Sequence, residues 1–311
     1  MAGLPAPPSP TLNAIWASYE ATQDDGYREH LGASLIGASC DRAIWYSFRW
    51  TTRARFSGRM LRLFETGNLA EARFVANLRA TGATVLDIDD STGRQWVLRD
   101  DSGHFGGSMD GCAIGILESP KTWHVTEFKT HSAKSFASLV KDGVQKAKPQ
   151  HYAQMQAYMH LTGMTRALYM AVNKDNDDMH VERIHYDATA ALRLMARASF
   201  VVNSASPPSR ISEDASWFQC RFCDHADACH GGRLPDAHCR SCLHSSPVEG
   251  GKWTCELTGE YLDRAAQIEG CGRHLYIPGL VPGEQIDADP AIGWVSYRMR
   301  DGSTFTDGVP F

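Results

Sequence analysis

Nothing in this 311-residue chain is apolar for long enough to cross a bilayer, so no membrane partner is expected. The opening MAGLPAPPSPTLNAIW lacks the basic flank and apolar stretch of a secretion signal, and its prolines predict a flexible segment over residues 1–28 of a cytoplasmic protein. Positive charge is not in excess either. Lys and Arg number 31 against 36 Asp and Glu, a net charge of -5, so no global field draws a polyanion, and any contact with phosphate needs a local basic patch or a bound metal. No G-x-x-x-x-G-K-(S/T) loop is present, which excludes a built-in nucleotide-driven motor, and no internal repeat is found. The 43% hydrophobic content is what an ordinary packed core requires.

Cysteine is abundant, and unevenly placed. Cys40 and Cys112 stand alone, whereas Cys220, Cys223, Cys229, Cys239, Cys242, Cys255 and Cys271 crowd into the last third. Two C-x-x-C pairs without a secretion signal favour thiolate ligation of metal over disulfides. Cys112 reads as a small core residue.

The run GNLAEARFVANLRATG, with Leu69, Phe74 and Leu78 near one helical face and Gly82 as a stop, predicts a helix. Short β-prone pieces follow, ATVLDID, RQWVLRD, HFGGSMDG, CAIGILES and WHVTEFKT, separated by turn residues. A helix from Pro149 through Leu161, strands RALYMAVNK and MHVERIHYD, and a helix from Ala188 to about Val202 complete the pattern. The order predicts an α/β fold of the α+β sandwich kind, a central mixed, twisted sheet flanked by helices. NSASPPSR marks a loop, and the short Gly- and Cys-rich pieces beyond it place a domain boundary near Leu234, dividing residues 29–233 from a small module at 234–311 that ends in a hairpin turning at Asp301-Gly302.

The strand HVTEFKTHS is apolar enough to be buried yet carries Glu127 and Lys129. Alternation puts these two on one face and Phe128 on the other. Asp110, in the glycine-flanked GGSMDG of the preceding hairpin, meets Glu127 if the strands are neighbours. Two carboxylates that meet repel each other unless a divalent cation such as Mg²⁺ or Mn²⁺ takes their oxygens, and a lysine beside that cation can steady negative charge during attack on phosphorus. A plain surface ion pair is the alternative for an E-x-K triplet alone.

The acid in its glycine hairpin, the later E-x-K strand and the following QMQAY helix together resemble the PD-(D/E)XK nuclease superfamily, with a restriction-endonuclease-like core, and in particular its RecB-like branch. The resemblance implies that Asp110, Glu127 and the Phe128 backbone carbonyl bind Mg²⁺ or Mn²⁺, that Lys129 assists catalysis, and that Gln154 and Tyr158 form the Q-x-x-x-Y helix. Its G-x-x-x-(H/E) helix corresponds to Gly67 and Glu71, making Glu71 a further metal ligand, with Glu65 a nearby acid of similar character. Gln150, Gln154 and Tyr158 share a helical stripe, on which Gln150 is a candidate DNA contact.

CRFCDHADAC offers three cysteines, which His225 or His230 could complete as a zinc site. With Cys40 upstream, the arrangement is similar to the iron–sulfur nucleases of the same branch, including AddB and the four-cysteine nucleases of CRISPR adaptation. That resemblance implies a [4Fe-4S] cluster on Cys40, Cys220, Cys223 and Cys229, stapling the nuclease domain. Arg42 and the aromatics Trp45, Tyr46, Phe48 and Trp50 after Cys40 are either core or a base-stacking surface. Cys239, Cys242, Cys255 and Cys271 suit Zn²⁺ in a ribbon-like module, with His238, His244 and His274 as possible substitutes.

The function implied is a metal-dependent DNA exonuclease acting on single strands or duplex ends in resection, recombination or repair. The layout also resembles phage recombination exonucleases, which would place it in a host cytoplasm beside a single-strand annealing protein or a separate helicase. A non-cleaving DNA-end-binding protein and a subunit active only within a larger complex are the alternatives, and an oligomer is open.

Overall fold

The Ser9 hydroxyl accepts the Leu12 amide at 3.3 Å and Pro10 takes the first helical position, so helix α1 (Pro10–Ala21) forms where a flexible start was expected. It is anchored, not loose: Glu20 accepts the Gly58 amide at 2.7 Å, and Tyr19 bonds Glu65. The computed structural model describes residues 9–308.

After α1 come β1 (Leu31–Gly32), α2 (Asp41–Phe48) and α3 (Gly58–Ala80), then β2 (Thr84–Leu86), β3 (Trp96–Arg99), β4 (Phe105–Met109), β5 (Cys112–Ile114) and β6 (His124–His131). Next are α4 (Ala133–Ala147, broken at Gly143), α5 (Pro149–Thr162), β7 (Arg166–Asn173), β8 (Met179–His185) and α6 (Ala188–Asn203). α3 starts nine residues before the predicted Gly67. α4 was not foreseen, because Gly143 interrupts its pattern; the Glu182 carboxylate accepts the Val144 amide at 2.9 Å there and replaces a lost helical bond.

β2, β5, β6, β7 and β8 form one sheet in that order, parallel only between β6 and β7. This is the expected mixed sheet flanked by helices. One face packs on α3, where Phe128 stacks on Phe74 with centroids 5.2 Å apart, joined by Leu168 and Met170. The other packs on α4 and α5 through Val125, Tyr169, Ala171, Met155 and Tyr158, with α6 lying against α5. The GGSMDG stretch is not a hairpin leading into β6. Its first two glycines belong to β4, in a separate sheet β1-β4-β3, and Asp110-Gly111 carries the chain across to β5.

Residues 234 onward contribute β9 (Ser245–Val248), β10 (Lys252–Cys255) and β11 (Tyr261–Leu262) of one antiparallel sheet, then α8 (Arg264–Glu269), which follows the short α7 (Phe218–Arg221) in helix order. β12 (Gly283–Asp289), β13 (Trp294–Met299) and β14 (Thr304–Asp307) form a second, with the turn at Asp301-Gly302 where it was predicted. The boundary near Leu234 is not a boundary in packing. Trp253, Ile277 and Leu280 belong to the same buried cluster as Phe48, Phe105 and Tyr158. Arg240, 1% exposed, donates to the carbonyls of Phe48 and Glu29 and to Gln267, and its guanidinium lies 4.2 Å from the Trp50 ring and 4.1 Å from that of Trp253. Among the described residues no helix is long and apolar enough to cross a membrane.

Candidate active site

β5 pairs with β6 only at Cys112–Val125 and Ala113–His124 before the two diverge. Past that point the Thr126 amide donates to the Gly111 carbonyl at 2.9 Å, and the Phe128 amide donates to the Asp110 carboxylate at 2.8 Å. A side chain thus continues the ladder where the neighbouring strand has left it. Gly111 makes the crossing possible: its φ is +145°, and a Cβ there would sit 2.8 Å from the Leu86 carbonyl oxygen.

Glu127 and Lys129 point from one face of β6 into this fork, beside Asp110. Glu127 is 0% exposed. Its carboxylate is in ion-pair contact with the Lys129 ammonium, but neither oxygen receives a well-directed hydrogen bond. The ammonium also donates to the Phe128 carbonyl at 3.0 Å and lies 3.7 Å from Asp110 Oδ2. Burial pushes the Glu127 carboxyl up to about 7, against the pull of Lys129 and with help from the charge of Asp110. Burial lowers Lys129, but Glu127 and Asp110 outweigh it and hold the ammonium above its ordinary value.

Glu71 comes to the same cluster from α3. Burial and the charge of Asp110 raise its carboxyl to about 7, Lys129 opposes them, and Gln95 donates to it at 3.1 Å. Tyr158 supports the fork from α5: its hydroxyl donates to the Ser108 carbonyl at 2.8 Å, and a Cβ on Gly107 would lie 2.5 Å from that oxygen. Burial drives the phenol well above its ordinary value, with the Gln154 side chain alongside. The expected three-residue stripe divides, however. Two turns back, Gln150 lines a cavity with the cysteines and does not face the carboxylates.

Sequence reading missed a buried polar chain on the same face. Tyr169, opposite Glu127 in the β6–β7 register, places its hydroxyl 2.9 Å from His131 Nε2 and 2.9 Å from His151 Nδ1. His131 Nδ1 continues to Ser135, which accepts from Lys148 at 2.7 Å. Burial pushes His131 down to about 4 and His151 to about 3, so both are neutral near neutral pH. The alternation that groups Glu127 with Lys129 also reaches His131; Tyr169 and His151 needed the sheet register.

No family model matches the sequence, and no curated protein matches it. Among solved structures, the alkaline exonuclease LHK-Exo from Laribacter hongkongensis is 18% identical, with a TM-score of 0.41 over 60% of this chain and 90% of its own. The same enzyme in complex with dAMP gives 17% and 0.40, over 61% and 90%. The protein SSO0001 is 13% identical with a TM-score of 0.41, over 71% of this chain and 94% of its own.

Among the described residues, no group of three or more His, Cys, Asp or Glu side chains is arranged as a ready metal site. At the carboxylates the Lys129 ammonium pairs with Glu127 and lies 3.7 Å from Asp110 Oδ2. These oxygens still suit a hard cation: a fully buried carboxylate without directed donors, a second carboxylate and a carbonyl form an all-oxygen set. Cys40, Cys220, Cys223 and Cys229 all line one cavity of about 300 Å³. Burial, then the neighbouring Cys229 and Cys40, raises the Cys220 thiol. Cys239 is pushed up to about 11 by burial and by the nearby Cys242, Cys271 and Cys255, so the second set is neighbouring but does not close on an ion.

Arg42 donates to the Tyr46 hydroxyl and to the carbonyls of Pro208 and Gly279, bridging distant segments. Trp45, Tyr46, Phe48 and Trp50 are at most 3% exposed, which excludes them as a base-stacking surface.

Proposed function

We propose that this protein is a metal-dependent DNA exonuclease that hydrolyses phosphodiester bonds during end resection, recombination or repair. The observation that supports this reading is the gathering of the Glu127 and Asp110 carboxylates and the Phe128 carbonyl around the Lys129 ammonium at the fork between β5 and β6. Holding a fully buried carboxylate beside a second carboxylate and a half-buried lysine is costly, and a fold core has no need of it.

Asp110, Glu127 and the Phe128 carbonyl would hold Mg²⁺ or Mn²⁺, with Glu71 at the margin. When bound, such a cation polarises the phosphodiester and makes water a better nucleophile near neutral pH. Glu71, with its carboxyl near 7, is suited to take a proton from attacking water. Lys129 keeps its proton and steadies the negative charge that develops on the phosphoryl oxygens. Tyr158 and Gln154 hold the Ser108 strand, and with it Asp110, in place.

Cys40, Cys220, Cys223 and Cys229, which line one cavity, would hold a [4Fe-4S] cluster that ties α2 to the loop after α6. Cys239, Cys242, Cys255 and Cys271 would take Zn²⁺. Broad visible absorbance of anaerobically purified protein, with iron and zinc both found on metal analysis, is the expected result for the two sets.

Digestion of end-labelled single- and double-stranded DNA with and without Mn²⁺ tests the activity. Shortening from the ends that needs the metal and disappears in Asp110→Ala and Lys129→Ala supports the reading, and full activity in either variant sinks it.

A further inference from the structure

The chain as a whole carries no excess of positive charge to draw a polyanion, yet one cavity is lined by arginine. Arg42, Arg210, Arg298 and Arg300 surround a space of about 460 Å³ between the cysteine loop and the sheet β12-β13-β14. Most of their hydrogen bonds leave the charge intact. Arg42 donates to the carbonyls of Pro208 and Gly279, Arg210 to that of Cys229 at 2.7 Å, and Arg300 to that of His230 at 2.8 Å. A carbonyl satisfies a donor without neutralising it. Among the described residues, Glu213 pairs with Arg210 at 2.8 Å, and Glu284, also in the lining, lies across the strand pair from Arg298. The groups converge in space, since Arg42, Arg210, Arg298 and Arg300 come from three separate stretches of the chain and all line this one cavity.

Guanidinium groups set around an open space match phosphate in geometry as well as charge. The space shares Arg42, Arg210 and Cys229 with the cysteine cavity, whose lining includes Gln150 near the start of α5. From Gln150 to Tyr158 that helix rises about 12 Å toward the carboxylate fork. We infer that the arginine-lined cavity binds the phosphodiester backbone of the DNA strand at a distance from the cleavage site, so that the C-terminal sheet serves as a clamp on the substrate. The inference rests on the nuclease reading for the identity of the polymer, and extends it to a part of the chain that reading leaves without a role.

Arg298 and Arg300 are exposed, which makes them the positions to change. Binding of labelled single-stranded and duplex oligonucleotides to the full chain, without added divalent metal, is measured as a function of salt for wild type, Arg298→Glu, Arg300→Glu and the double variant. Arg193→Glu, an exposed arginine on α6, is the control. The double variant is expected to bind at least about tenfold more weakly, with the slope of log K against log salt shallower by about 1.5, as the loss of two phosphate contacts requires. Thermal melting accompanies each variant, and Arg298→Ala, which removes charge without reversing it, carries the test if the double variant melts early. Unchanged affinity and slope, an equal loss in Arg193→Glu, or lost binding of an acidic peptide with DNA binding intact would each overturn the inference. A wild type that binds DNA but cuts none ends the nuclease reading and leaves this readout standing.

Discussion

At the scale of the residue, the decisive feature is a half-buried lysine with three oxygens within 3.7 Å of its ammonium. Removing it in Lys129→Ala leaves Glu127 and Asp110 facing each other with no cation between them. Cleavage should fall about a hundredfold or more, and the metal-free variant should melt below wild type, with added Mn²⁺ raising its melting temperature more than that of wild type. Equal Mn²⁺ effects on both proteins would contradict a shared cation position. The two raised carboxyls set a pH dependence as well. Glu127 and Glu71 stay protonated up to about 7 in the native state, whereas in the unfolded chain they lose their protons near 4.5. The native state therefore holds the extra protons between these values, and the contribution of these groups to stability falls as pH rises through that window. Activity runs the opposite way, because cation binding needs both carboxylates ionised. The rate at low Mn²⁺ should rise through about pH 7, and the midpoint should move down as Mn²⁺ is increased.

At the scale of the element, the site depends on β4 leaving the central sheet and on α5 holding it there. Gly107→Ala would press a methyl group against the Tyr158 hydroxyl and should destabilise the fold by about 1–3 kcal/mol. Tyr158→Phe leaves the Ser108 carbonyl unpaired at a cost of about 1–3 kcal/mol, visible as a lower denaturant midpoint with the slope unchanged. Most elements were legible in the sequence. α5 begins at the predicted Pro149, and β6 alternates as HVTEFKTHS requires. α1 and α4 were not, because a helix of mostly exposed residues lacks periodicity and an internal glycine reads as a stop. At the candidate site Asp110, Glu127, Lys129, Glu71, Gln154 and Tyr158 were legible. Tyr169 and His151 were not, since only strand register and helix placement bring them to His131.

At the scale of the whole molecule, the C-terminal third is part of the core. Trp253, with no exposure, packs against Phe48 and under the Arg240 guanidinium. Trp253→Ala should cost about 3–5 kcal/mol. The full chain should unfold in one cooperative transition, where an independent module would give two. A chain ending at residue 233 should fail to fold stably, as it would expose the aromatic surface around Phe48 and Trp50. The change of composition near Leu234 concealed this. Short Gly- and Cys-rich segments have little periodicity of their own, and the partners of Arg240 lie about two hundred residues earlier in the chain.

The sequence by itself determined that Glu127 and Lys129 share a face, because alternation is a property of the extended backbone, and it determined which cysteines group together, because their spacing is local. The tertiary structure alone decided that Asp110 meets them through the Phe128 amide, that Gln150 looks toward the cysteines while Tyr158 supports the fork, and that four arginines from three separate stretches enclose one cavity. Contacts of that kind depend on where strands part and where loops return. Those outcomes follow from packing of the whole core, and no local window of the chain contains it.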